Sequence, residues 1–217
     1  MPSQIEKITI LLADDHPLTR AGLRAMLEAV LDLEVVGEAE NGLEAQRLVA
    51  ELRPDILLLD LVMPELRPAA LEKWVRENFP ETTTLILTAH NRDAYLASMM
   101  DAGAVGLVGK TEPAEKLVES IRLAARGEIL FDEDQLSRAR RWREDAGRKW
   151  DNLTEREREI LRLLAEGLNN DTIAERLAFS PKTAAFHVAS VLRKLEVESR
   201  GEAAAWLRRN FPEGILD

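Results

Sequence analysis

Five short apolar runs, at residues 8–13, 34–39, 56–59, 85–88 and 105–108, alternate with stretches whose apolar residues recur at helical spacing. Between the runs lie Leu23, Met26, Leu27 and Val30, then 43–52, 71–79, Tyr95 to Met100, and Leu117, Ile121 and Ala124. Runs of about five residues separated by helix-length intervals are the pattern of βα units. Such units build a parallel sheet buried under helices on both faces. The pattern constrains function as well as fold, because ligands of an open α/β sheet bind beyond the carboxyl ends of its strands.

Those ends are polar here. Asp14 and Asp15 follow the first run, Asp60 the third, Thr88 the fourth and Lys110 the fifth. The stretch DILLLDLVMPE (55–65) is the sharpest case, since continuous leucine and isoleucine run straight into Asp60. An acid after a buried strand is commonly a cap or turn residue. Four strand ends that all carry reactive or charged groups argue instead for chemistry. Clustered carboxylates repel unless a cation joins them, and a hard oxygen set without thiolate or imidazole suits Mg²⁺. A lysine and a hydroxyl at the same point suit the oxygens of a phosphoryl group, with Asp60 as the nucleophile that forms an aspartyl phosphate.

Composition narrows the options. The chain has 217 residues, 46% hydrophobic and 31% charged, with no cysteine, so disulfides and thiolate-ligated metal are excluded. The three histidines, His16, His90 and His187, lie far apart in sequence, which disfavours a histidine metal site. No apolar run approaches the roughly 20 residues needed to span a bilayer, and a cytoplasmic, non-membrane protein is expected. The net charge of −10 is confined to residues 1–147, which hold 17 basic and 27 acidic residues. Residues 148–217 hold 12 of each.

After residue 127 the βα rhythm stops. Gly127 suits the end of the preceding helix, and 128–149 read as a helical joint. Leu136, Ala139, Trp142 and Arg143 share one face of it, and Gly147 is its expected end. From 150 onward four short helices are expected. Thr154 and Glu157 form a capping box, Gly167 ends the first helix, and Asn169 or Asn170 caps the second. Ser180–Pro181 opens the third, whose stripe Ala184, Val188, Val191 and Leu195 faces inward. Lys182, Thr183, Ala185, Phe186, His187 and Ser190 face the other way. The spacing fits a helix-turn-helix docking into a major groove, and it fits a small protein-binding bundle equally well.

The motifs LLADDHP, LLLLDLVMPE, LILTAH and GAVGLVGK together resemble the receiver domain of bacterial two-component response regulators over about 7–126. Residues 150–210 are similar to the LuxR-type DNA-binding domain. The chain is thereby identified as a member of the NarL/FixJ family. The resemblance implies a flavodoxin-like receiver (1–127), a linker (128–149) and a LuxR-type helix-turn-helix domain (150–217). It implies Asp60 as phosphoacceptor, and Mg²⁺ held by Asp14, Asp15, Asp60 and the main-chain carbonyl of Val62. Thr88 becomes the switch hydroxyl and Lys110 the phosphate counter-ion. Lys182, Thr183 and His187 match DNA-contacting positions, Glu157 matches a structural acid, and the last helix, about 199–210, corresponds to the dimerisation element. The implied protein is not an enzyme. It is a transcription factor with a sensor histidine kinase, double-stranded DNA and a second copy of itself as partners, and phosphorylation controls its pairing.

Departures from the family pattern accompany the match. Leu107 stands where receivers usually carry an aromatic residue, which admits an alternative receiver locked in one state with constitutive DNA or protein binding. The loop after Pro64 lacks a common glycine, Ala185 replaces a common lysine, a lysine or arginine frequent near Asp171 is missing, and Glu196 replaces a glycine. A dehalogenase-like phosphatase would need an acid two residues after Asp60, where Val62 stands.

Overall fold

The computed structural model describes residues 7–89 and 92–211, so His90 lies outside the described residues. The chain divides into two compact units between Ser137 and Arg138.

The first unit is a five-stranded parallel sheet of β1 (Ile8–Ala13), β2 (Leu33–Ala39), β3 (Ile56–Leu59), β4 (Thr83–Thr88) and β5 (Gly106–Gly109). The strand order is β2-β1-β3-β4-β5. Helices α1 (Pro17–Glu28), α2 (Gly42–Leu52), α3 (Pro68–Asn78), α4 (Asp93–Ala102) and α5 (Ala114–Ala125) connect and follow the strands. Side chains alternate across the sheet. Ile10, Leu12, Ile56, Leu58, Leu85 and Leu87 pack with Leu27 of α1 and with Leu117 and Ile121 of α5. On the opposite pleat Leu11, Leu57, Leu59 and Ile86 are equally buried, which is why β3 reads as unbroken grease. Burial of each such side chain stabilises the unit by roughly 1.5–3 kcal/mol.

The strands begin and end close to where the sequence pattern sets them, with one instructive shift. β4 starts at Thr83, two residues before the apolar run, and Thr83 and Thr84 pair with Ile56 and Leu57. Threonine is polar but β-branched, so it fits a pleated surface that a hydropathy pattern passes over. The loop after Pro64 solves its missing glycine with strain, since Glu65 adopts a positive φ of 73°. Gly42 at the start of α2 permits this loop to close in, because a Cβ there would lie 2.7 Å from Leu66 Cβ and closer still to the Leu66 carbonyl.

Beyond α5, Gly127 takes the left-handed turn (φ 78°). Helix α6 (Glu133–Trp142), a π-helical turn (Arg143–Gly147) and α7 (Arg148–Asp151) follow without a break. This corrects the expected helix end at Gly147, which stays helical at φ −58° and ψ −51°. Trp142 and Trp150, on either side of that turn, both reach Phe211, with ring centroids 5.2 and 4.6 Å away. Their packing, not a glycine stop, fixes the course of this segment.

The second unit continues with α8 (Glu155–Ala165), α9 (Asn170–Leu177), α10 (Pro181–Leu195) and α11 (Arg200–Asn210). Each start is capped by its own sequence. Thr154 and Glu157 close the capping box of α8. Asn169, Ser180 and Ser199 accept from the backbone N–H three residues on at α9, α10 and α11. The core is Ile160, Leu161, Ile173, Ala184, Val191 and Ala203, all essentially inaccessible.

Candidate functional site

At the carboxyl edge of the sheet, main-chain hydrogen bonds tie the strand ends together. Asp14 N–H donates to Ala39 O at 3.1 Å, Asp60 N–H to Ala13 O at 2.8 Å and Lys110 N–H to Thr88 O at 2.8 Å. The polar ends of four adjacent strands are thereby set side by side. Asp14, Asp60 and Thr88 are buried, Asp15 is half-buried, and Lys110 is largely covered.

Lys110 Nζ donates to Asp60 Oδ2 at 2.7 Å. It sits the same 2.7 Å from Asp14 Oδ2, a charge contact whose angle does not make a hydrogen bond. The other Asp60 oxygen, Oδ1, accepts from the Leu61 N–H at 2.7 Å. Burial pushes the Asp60 carboxyl above the usual carboxylate range, and the Asp14 charge adds to that, while Lys110 works against both. Burial would lower the Lys110 ammonium, but the carboxylates of Asp14 and Asp60 beside it prevail and hold it above its ordinary value. One ammonium therefore offsets a crowded group of acids.

Asp14, Asp15, His16 and Asp60 each offer a ligand atom within 4.8 Å of the others. Asp14 Oδ2 and Asp15 Oδ1 are buried oxygens with no hydrogen bond of normal geometry, only the Lys110 and His16 nitrogens at 2.7 Å, and a hard divalent cation would suit them. His16 is the member that sequence spacing missed. The three histidines are far apart, but His16 needs only its neighbours, and its Nδ1 lies 2.7 Å from Asp15 Oδ1. Arg20, also unforeseen, donates to the Asp14 carbonyl at 2.6 Å and pairs with Glu38. Val62 lies two residues beyond Asp60 at the same edge, half-exposed. Leu107, in the aromatic's place, is buried in β5.

In the second unit, α10 presents Lys182 to solvent, and Thr183 is half-buried because it takes part in the cap with Ser180. His187 does not project freely. Its ring stacks on Phe179 (5.1 Å, 17°), over which the Arg156 guanidinium lies at 4.3 Å. Ser190 turns inward too and donates to Glu157 Oε1 at 2.7 Å. Glu157 also accepts from Lys194 Nζ at 2.6 Å and from Thr154 N–H at 2.8 Å. The face left open by α10 is thus narrower than the six residues expected from spacing.

These two units match two family models, the response regulator receiver domain over residues 10–122 and the luxR family of bacterial regulatory proteins over 151–207. The transcriptional regulatory protein LiaR of Bacillus subtilis is 39% identical over 94% of this chain and 98% of its own length. The response regulator protein VraR of Staphylococcus aureus is 34% identical over 92% and 95%. Among solved structures, the RcsB response regulator–DNA complex aligns with a TM-score of 0.58 at 28% identity, covering 94% of this chain and 98% of that one. A sheet edge carrying acids and a lysine, joined in one chain to a helix-turn-helix unit, defines a signal-responsive DNA-binding protein. The chain belongs to the two-component response regulators of the NarL/FixJ type and is a transcription factor with a receiver and a LuxR-type DNA-binding domain. Among the described residues no helix is long and apolar enough to cross a membrane.

Proposed function

We propose that Asp60 is the phosphoacceptor of this regulator and that its phosphorylation, by a sensor histidine kinase, controls pairing and DNA binding in the cytoplasm. The observation that carries this reading is the convergence of Asp14, Asp60 and Lys110 at 2.7 Å contacts on one sheet edge. In the reaction a carboxylate oxygen of Asp60 attacks phosphorus. The bond from phosphorus to the kinase's imidazole nitrogen breaks as the new P–O bond forms. Asp14, Asp15, Asp60 and the Val62 carbonyl are the residues that would hold Mg²⁺, and the clustered carboxylate oxygens of Asp14, Asp15 and Asp60 fit it. Bound there, the cation would neutralise charge on the transferring phosphoryl oxygens. Lys110, released from the carboxylates, becomes the counter-ion of the phosphoryl group, and Thr88 supplies the hydroxyl that distinguishes the two states of the β4–α4 segment.

The receiver spans 1–127 in this reading, a linker 128–149 and the DNA-binding domain 150–217. Lys182, Thr183 and His187 contact DNA, and α11 pairs with its counterpart in a homodimer. RcsB, a relative of similar fold, has been solved bound to DNA, which supports the DNA assignment. The test is incubation with acetyl phosphate and Mg²⁺ read by intact mass. An adduct of about 80 Da, the mass of an added PO₃H, is expected on the parent and absent from Asp60→Asn. A parent that stays unlabelled favours the locked receiver, for which buried Leu107 is the supporting feature.

A further inference from the structure

Helix α10 carries an exposed aromatic residue that neither the core nor any cap uses. Phe186 is 71% exposed. Its neighbours on the open face, Ala185 and Ala189, are exposed and short, so its ring protrudes beyond them. The ring is not loose, because it meets His187 edge-on at 5.8 Å and 73°. His187 is in turn stacked on Phe179. Lys182 and Arg193, both exposed, stand at the two ends of the same face, about 16 Å apart along the axis at 1.5 Å per residue. The open face is therefore cationic at its ends and apolar in the middle.

Resting on the DNA-binding reading above, we infer that Phe186 reads the 5-methyl group of thymine in the major groove. Donors and acceptors on the base edges offer a phenyl ring nothing, since it has no hydrogen-bonding group. The only apolar feature a base pair presents in that groove is the thymine methyl. A propped ring loses little rotamer freedom on docking, so the contact is preorganised. The end cations suit phosphates, which fix register without reading sequence. Ala185, in place of a lysine, keeps a competing polar reader away from the ring. The ligand class is accordingly a 5-methylpyrimidine: thymine first, and by the same geometry 5-methylcytosine.

The experiment uses the full chain. A binding site is selected from random duplex DNA, and each thymine within it is replaced singly by deoxyuridine, which removes one methyl group and nothing else. Affinity is then followed by fluorescence anisotropy. At one or two positions the parent loses about fourfold per methyl, the size expected for one buried apolar group. Phe186→Ala weakens binding to the thymine duplex and binds the thymine and deoxyuridine duplexes alike, while Phe186→Leu keeps part of the discrimination. Because Phe186 is outside the core, both variants are expected to fold, which circular dichroism checks. A parent that selects a site but ignores every methyl, or a Phe186→Ala variant that still discriminates, overturns this inference alone. Failure of the parent to select any DNA overturns the DNA-contact reading of α10 and this inference with it.

Discussion

Replacing Glu157 by glutamine should unfasten the second unit. The carboxylate is buried between α8 and α10 and accepts from Thr154 N–H, Ser190 Oγ and Lys194 Nζ at 2.8, 2.7 and 2.6 Å. Burial alone would raise its pKa. The Lys194 ammonium, the Thr154 N–H and the Ser190 hydroxyl overcome that and bring it down to about 2. An unfolded glutamate titrates near 4.5, so at about 1.4 kcal/mol per pH unit the charged form contributes about 3 kcal/mol at neutral pH. The pKa is depressed on folding, so the contribution is complete above 4.5 and disappears as pH falls towards 2. Glutamine keeps the shape but not the charge, and a loss of about 2–3 kcal/mol is expected at pH 7. Urea unfolding in a Trp74→Phe background measures it, because fluorescence then comes from Trp142, Trp150 and Trp206 alone. The reasoning is refuted if glutamine shifts stability by under about 0.5 kcal/mol at pH 7 while the parent keeps its midpoint down to pH 3.

Glu72 has the opposite sign. Burial raises it to about 7, with Thr84 and Arg76 offsetting only part. The contribution of Glu72 to first-unit stability should therefore be most favourable below pH 4.5 and be lost as pH rises through 7, and Glu72→Gln should raise the Trp74-detected urea midpoint at pH 8. Asp15→Asn should weaken Mg²⁺ binding in a calorimetric titration and slow labelling by acetyl phosphate, but leave the adduct on Asp60, because it removes a ligand and not the nucleophile. Glu196→Gly should stabilise the second unit by up to about 1 kcal/mol in thermal unfolding, since a left-handed non-glycine residue costs about 1–2 kcal/mol and the pair with Lys149 that it gives up, whose Glu196 end is exposed, is worth less than about 1. Lys182→Ala should weaken DNA binding and lower the slope of log affinity against log salt by up to about one unit.

The reach of the sequence follows from which interactions are local. Strand ends were legible because Leu59 and Asp60 differ in a property that one residue reports by itself, and a parallel sheet lines such ends along one edge. Helix starts were legible because Thr154, Asn169 and Ser180 cap their own helices within three residues. Interactions between distant segments were not. Nothing near His187 in sequence announces the Phe179 and Arg156 stack that holds its ring, and nothing near Gly147 announces that Phe211 draws Trp142 and Trp150 together. The positive φ at Glu65 and Glu196 was half-legible. The expected glycines were missing at both places, but only the backbone reveals that their conformation was retained.

On the proposed reading the position of Lys110 links the phosphoryl chemistry to Thr88. Its ammonium lies 2.7 Å from carboxylate oxygens of both Asp14 and Asp60, two of the residues that would hold a divalent ion on the proposed reading. A divalent ion among those carboxylates would repel the ammonium. On the proposed reading cation binding would loosen the lysine side chain from its resting partners, and phosphorylation of Asp60 would give it a new one. Lys110 follows β5 and its N–H is bonded to Thr88 O, so the Lys110 and Thr88 side chains share one backbone link. An aromatic at 107 would add a ring that moves with this link. Leu107, buried on edge strand β5 opposite Ile86 of β4, has to repack by rotamer alone, and on the proposed reading the free energy separating the two states then rests mainly on Lys110 and Thr88. Lys110→Met consequently should cost more of the phosphorylation-dependent dimer shift, read by analytical ultracentrifugation, than any change at Leu107. A Leu107 substitution that abolished the shift while Lys110→Met preserved it would reverse that order.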